Sequence, residues 1–296
     1  MGKHEVELAA NKISLGEYLR MTKPAVWGAI VITGVIGFLI GSMKADSLSF
    51  LRLAIAVVAL SAGTAGCESI TNVIDIPVDR VMRRTENRSL PQGRIAARSA
   101  LCLGIILISV SLVLSLELGY VFLALMAAGA VDNVVVYSYW LKRRTSQNIV
   151  WGAVSGAIPA AFGLLAADQS ATILAVLIFM FVFFWTPPHI WSLSVEYKED
   201  YARAGVPMLP VVANEHSWKL ATGAFSAAMI TVSLFFAWQS SPSILPLTVS
   251  SLLGLYCAFQ VYSFIGMPEK YAHRLFVFLN AYLVAALIVP FFSLIG

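Results

Sequence analysis

Nine stretches of this chain are apolar over enough residues to cross a bilayer, and that repetition decides the class of fold before any motif is read. They fall at about 25–43, 50–73, 99–116, 119–140, 148–167, 171–192, 219–238, 243–263 and 274–294. A helix needs roughly 20 apolar residues to span the hydrocarbon core. Inside lipid, a helix satisfies its own backbone hydrogen bonds, whereas irregular chain does not. The expectation is an all-α, polytopic transmembrane helical bundle, about nine helices around a central cavity, forming a single membrane domain over residues 1–296. Hydrophobic residues make up 59% of the chain and charged residues 12%, too apolar a balance for a soluble domain of this length.

The few charges are placed unevenly. Threading nine spans through a membrane puts all the Lys and Arg residues on one side except Lys44 and Arg52. Cytoplasmic loops hold the excess of Lys and Arg, so residues 1–23 form a cytoplasmic N-terminal segment and the C-terminus faces out. That segment lacks the basic-then-apolar layout of a secretory signal and the acid-poor layout of a transit peptide. A prokaryotic plasma membrane is therefore the expected location. The sequence pI of about 9.0 reports basic loops and implies no nucleic acid partner. Cys67, Cys102 and Cys257 lie in apolar runs and read as small core residues without a disulfide framework.

The second span ends in a ladder of polar groups. Glu68, Asn72, Asp75 and Asp79 are spaced by four, three and four, so on a helix they fall within about 60° of one another and climb roughly 16 Å. Acids in or beside a span are costly and face a bundle interior or a watery cavity. Carboxylates one turn apart suit Mg²⁺, a hard cation commonly shared with substrate phosphates. Pro77 removes a backbone donor inside this stripe and kinks or ends the helix there.

Basic groups follow. Arg83, Arg84 and Arg88 come within three turns of Asp79, and a second cluster, "LKRRTSQN" (141–148), caps the fourth span with Lys142, Arg143 and Arg144. Guanidinium forks match phosphate oxygens. Basic loops that only fix topology would look alike. Two clusters, one of them beside a carboxylate ladder, fit a diphosphate clamp better.

A third segment, "FFWTPPHIWSLSVEYKEDYARAGVPMLPVV" (183–212), carries Pro187 and Pro188, which are expected to break the sixth span. The break would leave His189 between Trp185 and Trp191, as a metal or haem-iron ligand or as a donor to a freed carbonyl. Beyond it, Glu196, Lys198 and Asp200 form a second charged site on the same side as the first.

Together these segments resemble the UbiA-type intramembrane prenyltransferases, and within them the branch that farnesylates haem. "TNVIDIPVD" (71–79) is similar to the family's first acidic motif. Asp79, Met82, Arg84, Thr85, Asn87 and Arg88 continue the branch pattern. "VYSYWLKRRTSQNIVWGAVSGAIPAAFG" (136–163), "WTPPHIW" (185–191), "DYARAGVPMLPVV" (200–212) and "TKP" (22–24) also match. The resemblance covers residues 20–212. Thr71, the Ile76–Pro77 pair, Ser89 and Ala25 depart from it.

The resemblance implies transfer of farnesyl from farnesyl diphosphate to a vinyl group of haem b, giving haem O and diphosphate. Haem A synthase or terminal oxidase assembly would then take up the product. In this reading Asn72, Asp75, Asp79 and Asp200 hold Mg²⁺ at the diphosphate. Arg84, Arg88, Lys142, Arg143, Arg144 and Lys198 neutralise its remaining oxygens. Tyr137, Trp185 and Trp191 shield the allylic cation, and Asn133 and Tyr137 share a helical face towards the same cavity. Two rivals stay open: a related enzyme acting on a quinone precursor or chlorophyll-like acceptor, and a membrane transporter whose intramembrane acids mark an ion path.

Overall fold

The structure is a computed structural model that describes residues 14–241 and 243–292. Lys3, Lys12 and the last two residues of the ninth expected span lie outside the described residues. Short α1 (Leu15–Met21) leads into the first spanning helix, α2 (Pro24–Lys44). There follow α3 (Phe50–Ile74), the single turn α4 (Ile76–Asp79), α5 (Ala97–Leu118), α6 (Tyr120–Leu141) and α7 (Asn148–Ala167). Then come α8 (Thr172–Glu196), the short α9 (Lys198–Arg203) and α10 (Leu209–Val212), and last α11 (Glu215–Ser240), α12 (Ile244–Gly266) and α13 (Pro268–Phe292). Among the described residues nine of these helices are long and apolar enough to cross a membrane, as the nine runs predict.

Helix ends follow local chemistry. Pro24 and Pro268 open α2 and α13, where a missing N–H costs nothing. The Ser49 hydroxyl caps α3, and the Asn214 side chain caps α11 by accepting from Ser217 N–H. Pro77 behaves as expected: α3 stops at Ile74 and the chain restarts as α4.

Lipid offers no hydrophobic drive between helices, so close packing of small residues has to hold them. α2 and α7 do this through glycine. A Cβ placed on Gly37 would lie 2.5 Å from the Ala160 carbonyl oxygen, and one on Gly41 would lie 2.6 Å from that of Leu164. On the facing helix, a Cβ on Gly163 would collide with the Gly34 backbone. This pair forms a spine with a core on each side. One core joins Phe38, Leu60, Phe122 and Phe162, while the other joins Ile40, Leu164, Phe181, Phe236, Phe264 and Leu287. Ile105, Val113, Phe235 and Leu255 point outward, as a lipid-facing surface requires.

Three expectations need correction. Pro187 and Pro188 do not break α8, which runs on to Glu196 with both prolines buried inside it. Each proline removes one donor, but the neighbouring turn is tied by the Thr186 hydroxyl, which donates to Val182 O at 2.9 Å. Cys102 is exposed rather than buried, unlike Cys67 and Cys257. Finally, α6 changes its winding at Asp132: residues Asp132–Leu141 bond i to i+5, so that Lys142 N–H donates to Tyr137 O at 2.8 Å. Asn133 and Tyr137, four residues apart, still point to one side of the wider turn, towards α7, where Asn133 meets the Ser155 cavity and Tyr137 meets Gly152.

One end of the bundle is covered by a small apolar plug. Val78, Met82, Ile149, Trp191, Tyr201, Val206 and Met208 pack together. They draw α4, α9 and α10 against the ends of α7 and α8, which brings the first and third charged segments to the same rim.

Candidate active site

The end of α3 carries the ladder, and each rung meets a different partner. Asn72 is buried, and its Nδ2 donates to Met21 O at 2.6 Å, fastening α1 against α3. The Asp75 Oδ2 accepts from Lys142 Nζ at 2.5 Å. Asp79 is buried, its Oδ2 accepting from Arg88 Nη1 at 2.9 Å while its carbonyl accepts from the Thr85 hydroxyl. Higher in the span, Glu68 Oε2 accepts from Lys23 Nζ at 2.8 Å. Burial alone would lower the Lys142 pKa, but the Asp75 carboxylate beside it more than offsets this and holds Lys142 above the usual lysine range.

A polar cavity of about 250 Å³ opens between α1 and the loop that follows α4. Asn72 and Asp79 form its floor. Arg20, Lys23, Arg88 and Arg94 line it with positive charge, and Glu17, Asn87 and Ser89 complete the wall. Of these, Lys23 and Asn87 fall in the matched "TKP" segment and branch pattern, whereas Arg20 and Arg94 carried no signal in the sequence beyond their charge. The closure of α1 onto the loop is a long-range contact that spacing does not encode.

Below lies a second, mostly apolar cavity between α2, α3, α6 and α7. Trp27, Leu60, Met126 and Ile158 line it, and Glu68, Asn133 and Ser155 supply its few polar groups. Asp132 stands just outside, accepting the Ser155 N–H at 2.9 Å.

The other expected residues sit at the same rim with varied tasks. Asp200 is buried and accepts the backbone N–H groups of Arg83 and Arg84 at 3.3 and 3.2 Å and Arg203 Nη1 at 3.2 Å. It moors the loop and does not line the Asn72–Asp79 cavity. Arg84 lies over the Tyr197 ring at 5.1 Å. Arg143 donates to Ile74 O at 2.9 Å, satisfying a C-terminal carbonyl of α3. Arg144 and Lys198 are exposed. Tyr137 lies flat against Gly152, where a Cβ would come within 2.7 Å of its ring, with Lys142 at 5.7 Å. His189 is not held between two tryptophans. Its ring is stacked between Trp185 and Phe276 at 4.2 and 4.4 Å, with Trp185 itself donating to Leu279 O. Trp191 is fully buried, packed edge-on against Phe225 in the plug.

The sequence profile of the UbiA prenyltransferase family matches residues 23–283. This chain belongs to that family. Among curated relatives of this UbiA prenyltransferase, protoheme IX farnesyltransferase 1 of Picrophilus torridus is 36% identical over 271 residues, 91% of each chain. Protoheme IX farnesyltransferase of Acidiphilium cryptum is 40% identical over 220 residues, 74% of this chain and 68% of the relative. Solved structures share the fold at low identity. A digeranylgeranylglyceryl phosphate synthase superposes with a TM-score of 0.80 at 19% identity, over 95% of this chain and 98% of the other. A UbiA homologue from Archaeoglobus fulgidus bound to DMAPP and Mg²⁺ superposes with a TM-score of 0.71 at 17% identity, over 92% and 99%. The UbiA prenyltransferase is an integral, multi-pass membrane protein, and the rivalry with a transporter ends here.

The donor set of this UbiA prenyltransferase suits a hard divalent cation. Among the described residues no three His, Cys, Asp or Glu side chains converge into a cage, but Mg²⁺ is ordinarily held by one or two carboxylates together with substrate phosphates. Two buried oxygens at the end of α3, Asn72 Oδ1 and Asp75 Oδ1, have no hydrogen-bond partner. Bare buried acceptors are costly, and a cation is the partner such oxygens match. Asp79 offers a second carboxylate one turn further on.

Proposed function

We propose that this prenyltransferase moves a farnesyl group from farnesyl diphosphate to a vinyl group of haem b, giving haem O and diphosphate. The observation that carries this reading is a two-part site. A cavity walled by Arg20, Lys23, Arg88 and Arg94 meets a largely apolar one at the Lys23–Glu68 pair. The first fits a diphosphate and the second the start of an isoprenoid chain. The similarity to curated protoheme IX farnesyltransferases, over 91% of the chain in one case and 74% in another, supports haem b as the acceptor. Haem-copper oxidase assembly, through haem A synthase or directly, is the proposed destination of the product.

Charge neutralisation of the leaving group is the main catalytic contribution this geometry supports. Asn72, Asp75 and Asp79 would hold Mg²⁺, which supplies Lewis-acid neutralisation of diphosphate oxygens when bound. Arg88 is aimed by its bond to Asp79 and covers the remaining oxygens with Arg20, Lys23 and Arg94. Asp200 keeps the loop bearing Arg88 in register. Lys142 and Arg143 fix Asp75 and the last carbonyls of α3, and so set the floor of the cavity. The apolar walls keep water from the allylic carbon until the acceptor attacks. The site is proposed to face the cytoplasm, where the basic loops gather.

Purified protein with haem b, farnesyl diphosphate and Mg²⁺ is expected to yield haem O by mass and stoichiometric diphosphate. Product formed with a hydroxybenzoate or chlorophyll-like acceptor, and none with haem, would overturn the assignment of the acceptor.

A further inference from the structure

Glu68 has no task in the chemistry above. A carboxylate within a span is costly unless paired, and Lys23 pairs it at 2.8 Å. The position of that pair says more than its existence. Lys23 lines the polar cavity, whereas Glu68 lines the apolar one, so the ion pair is the partition between them. Lys23 itself adopts a left-handed φ of 55°, uncommon for a residue with a side chain. It is held at the α1–α2 junction, where the Trp27 indole donates to the Thr22 hydroxyl at 3.1 Å. Across the apolar cavity Asn133 presents an unpartnered buried oxygen.

An allylic diphosphate is divided in the same way. Its head requires cations and its tail requires hydrocarbon, so the C1–oxygen bond between them has to lie at the partition. Glu68 therefore stands beside the carbon that becomes positive. We propose that Glu68 is the anion facing the allylic cation, and that Lys23 changes partners on substrate binding, leaving Glu68 for the diphosphate. This rests on the prenyl-transfer reading for the identity of the leaving group.

In the step itself the C1–oxygen bond breaks and both its electrons leave on the diphosphate. The positive charge spreads over C1 and C3 of the prenyl chain. Glu68 forms no bond and takes no proton; its field lowers the energy of the cation in a low-dielectric cavity. The π pair of the acceptor vinyl group then closes the new bond between C1 and the vinyl terminus; the positive charge passes to the vinyl carbon next to the porphyrin, where water adds as the hydroxyl group and its proton leaves to solvent. The partner exchange has a protective side. The carboxylate is bared only once a diphosphate has drawn Lys23 away, so in the empty enzyme Glu68 stays paired.

The test compares Glu68→Gln, Glu68→Asp, Lys23→Met and the double variant Lys23→Met/Glu68→Gln. Glu68→Gln is expected to lower kcat by about 100-fold with KM for farnesyl diphosphate unchanged or lower. Lys23→Met raises KM instead. The double variant keeps both defects, and Glu68→Asp regains part of kcat. If the pair serves only to hold α2 to α3, neutralising both ends restores kcat and KM, and that result overturns the proposal. So does a Glu68→Gln enzyme with wild-type kcat. Should Glu68→Gln fail to accumulate, the double variant, which buries no lone charge, carries the same comparison. Scrambling of a bridging ¹⁸O label in farnesyl diphosphate, followed without acceptor, reads ionisation alone. Slower scrambling in the variant supports Glu68 even if haem proves not to be the acceptor, and equal scrambling removes Glu68 from the reaction whatever the acceptor.

Discussion

Lys142→Met takes away the cation that faces Asp75, and the structure sets the size of the effect. The two side chains are 16% and 8% exposed, and one Asp75 oxygen has no other partner. Removing one member of a buried pair strands the other charge and costs about 3–5 kcal/mol. The rim is wetter than a core, so the low end applies, about 3 kcal/mol, or roughly a hundredfold in the folding equilibrium. Asp75→Ala strands Lys142 and carries a similar penalty. The double variant strands neither charge and should regain most of the loss, giving a coupling of about 2 kcal/mol or more. Unfolding in mixed micelles by detergent titration measures all four proteins on one scale. A double variant no more stable than the weaker single would refute the burial argument.

Turnover separates structure from chemistry in the same set. The double variant stays inactive because Asp75 is a proposed cation ligand, and recovered turnover would reduce Asp75 to a counter-ion. The pH dependence has a definite sign. Lys142 has its pKa raised in the folded state, so the pair's contribution is complete below the unfolded lysine value of about 10.4 and is lost as pH rises through the higher folded value. The stability difference between wild type and Lys142→Met should therefore be flat from neutral pH to about pH 10.

Three further outcomes are expected. Chelation of divalent cations abolishes turnover and Mg²⁺ restores it, while Asn72→Ala raises the Mg²⁺ concentration for half-maximal rate by at least tenfold, on the order of the loss seen when a metal site loses a supporting group; an unchanged requirement would take Asn72 out of the metal set. Gly37→Val forces a side chain onto the Ala160 carbonyl and costs about 1–3 kcal/mol or more, read as lower thermal stability in detergent. A protease site inserted in the loop at residues 91–93 is cleaved in inverted membrane vesicles and protected in right-side-out ones; the reverse pattern would invert the proposed orientation.

The spans were legible because lipid imposes one requirement, length of apolar chain, which composition alone satisfies. The stop at Pro77 was legible because a missing donor acts locally. The tandem prolines misled for a related reason: their local cost is real, but burial of Pro187, Pro188 and Trp191 in the bundle outweighs it. The change of winding in α6 at Asp132 was not legible, because nothing in the apolar pattern of the fourth span marks a wider turn. The ladder was legible as polar groups gathered at the end of the second span, although the structure divides it between α3, which carries Glu68 and Asn72, its cap Asp75, and the turn α4, which carries Asp79. Its partners Met21, Lys23, Lys142 and Arg88 were not visible as a set, since they come from three separate parts of the chain. His189 carried a composition signal of aromatic neighbours, but only tertiary packing decides that Phe276 covers its second face.

The glycine seam between α2 and α7 has a consequence for biogenesis. Three other spans, α3, α5 and α6, are made between these two helices. Until α7 emerges from the insertion machinery, the groove at Gly37 and Gly41 lacks the α7 backbone that fills it. The helix carrying the acidic ladder is clamped earlier, to α5, where Gly66 and Gly104 bring the two backbones together. Arrival of the fifth span is thus the event that fastens the first helix, with Lys23 at its start, to the rest, and a nascent chain halted before it should leave that helix open to proteolysis and quality control.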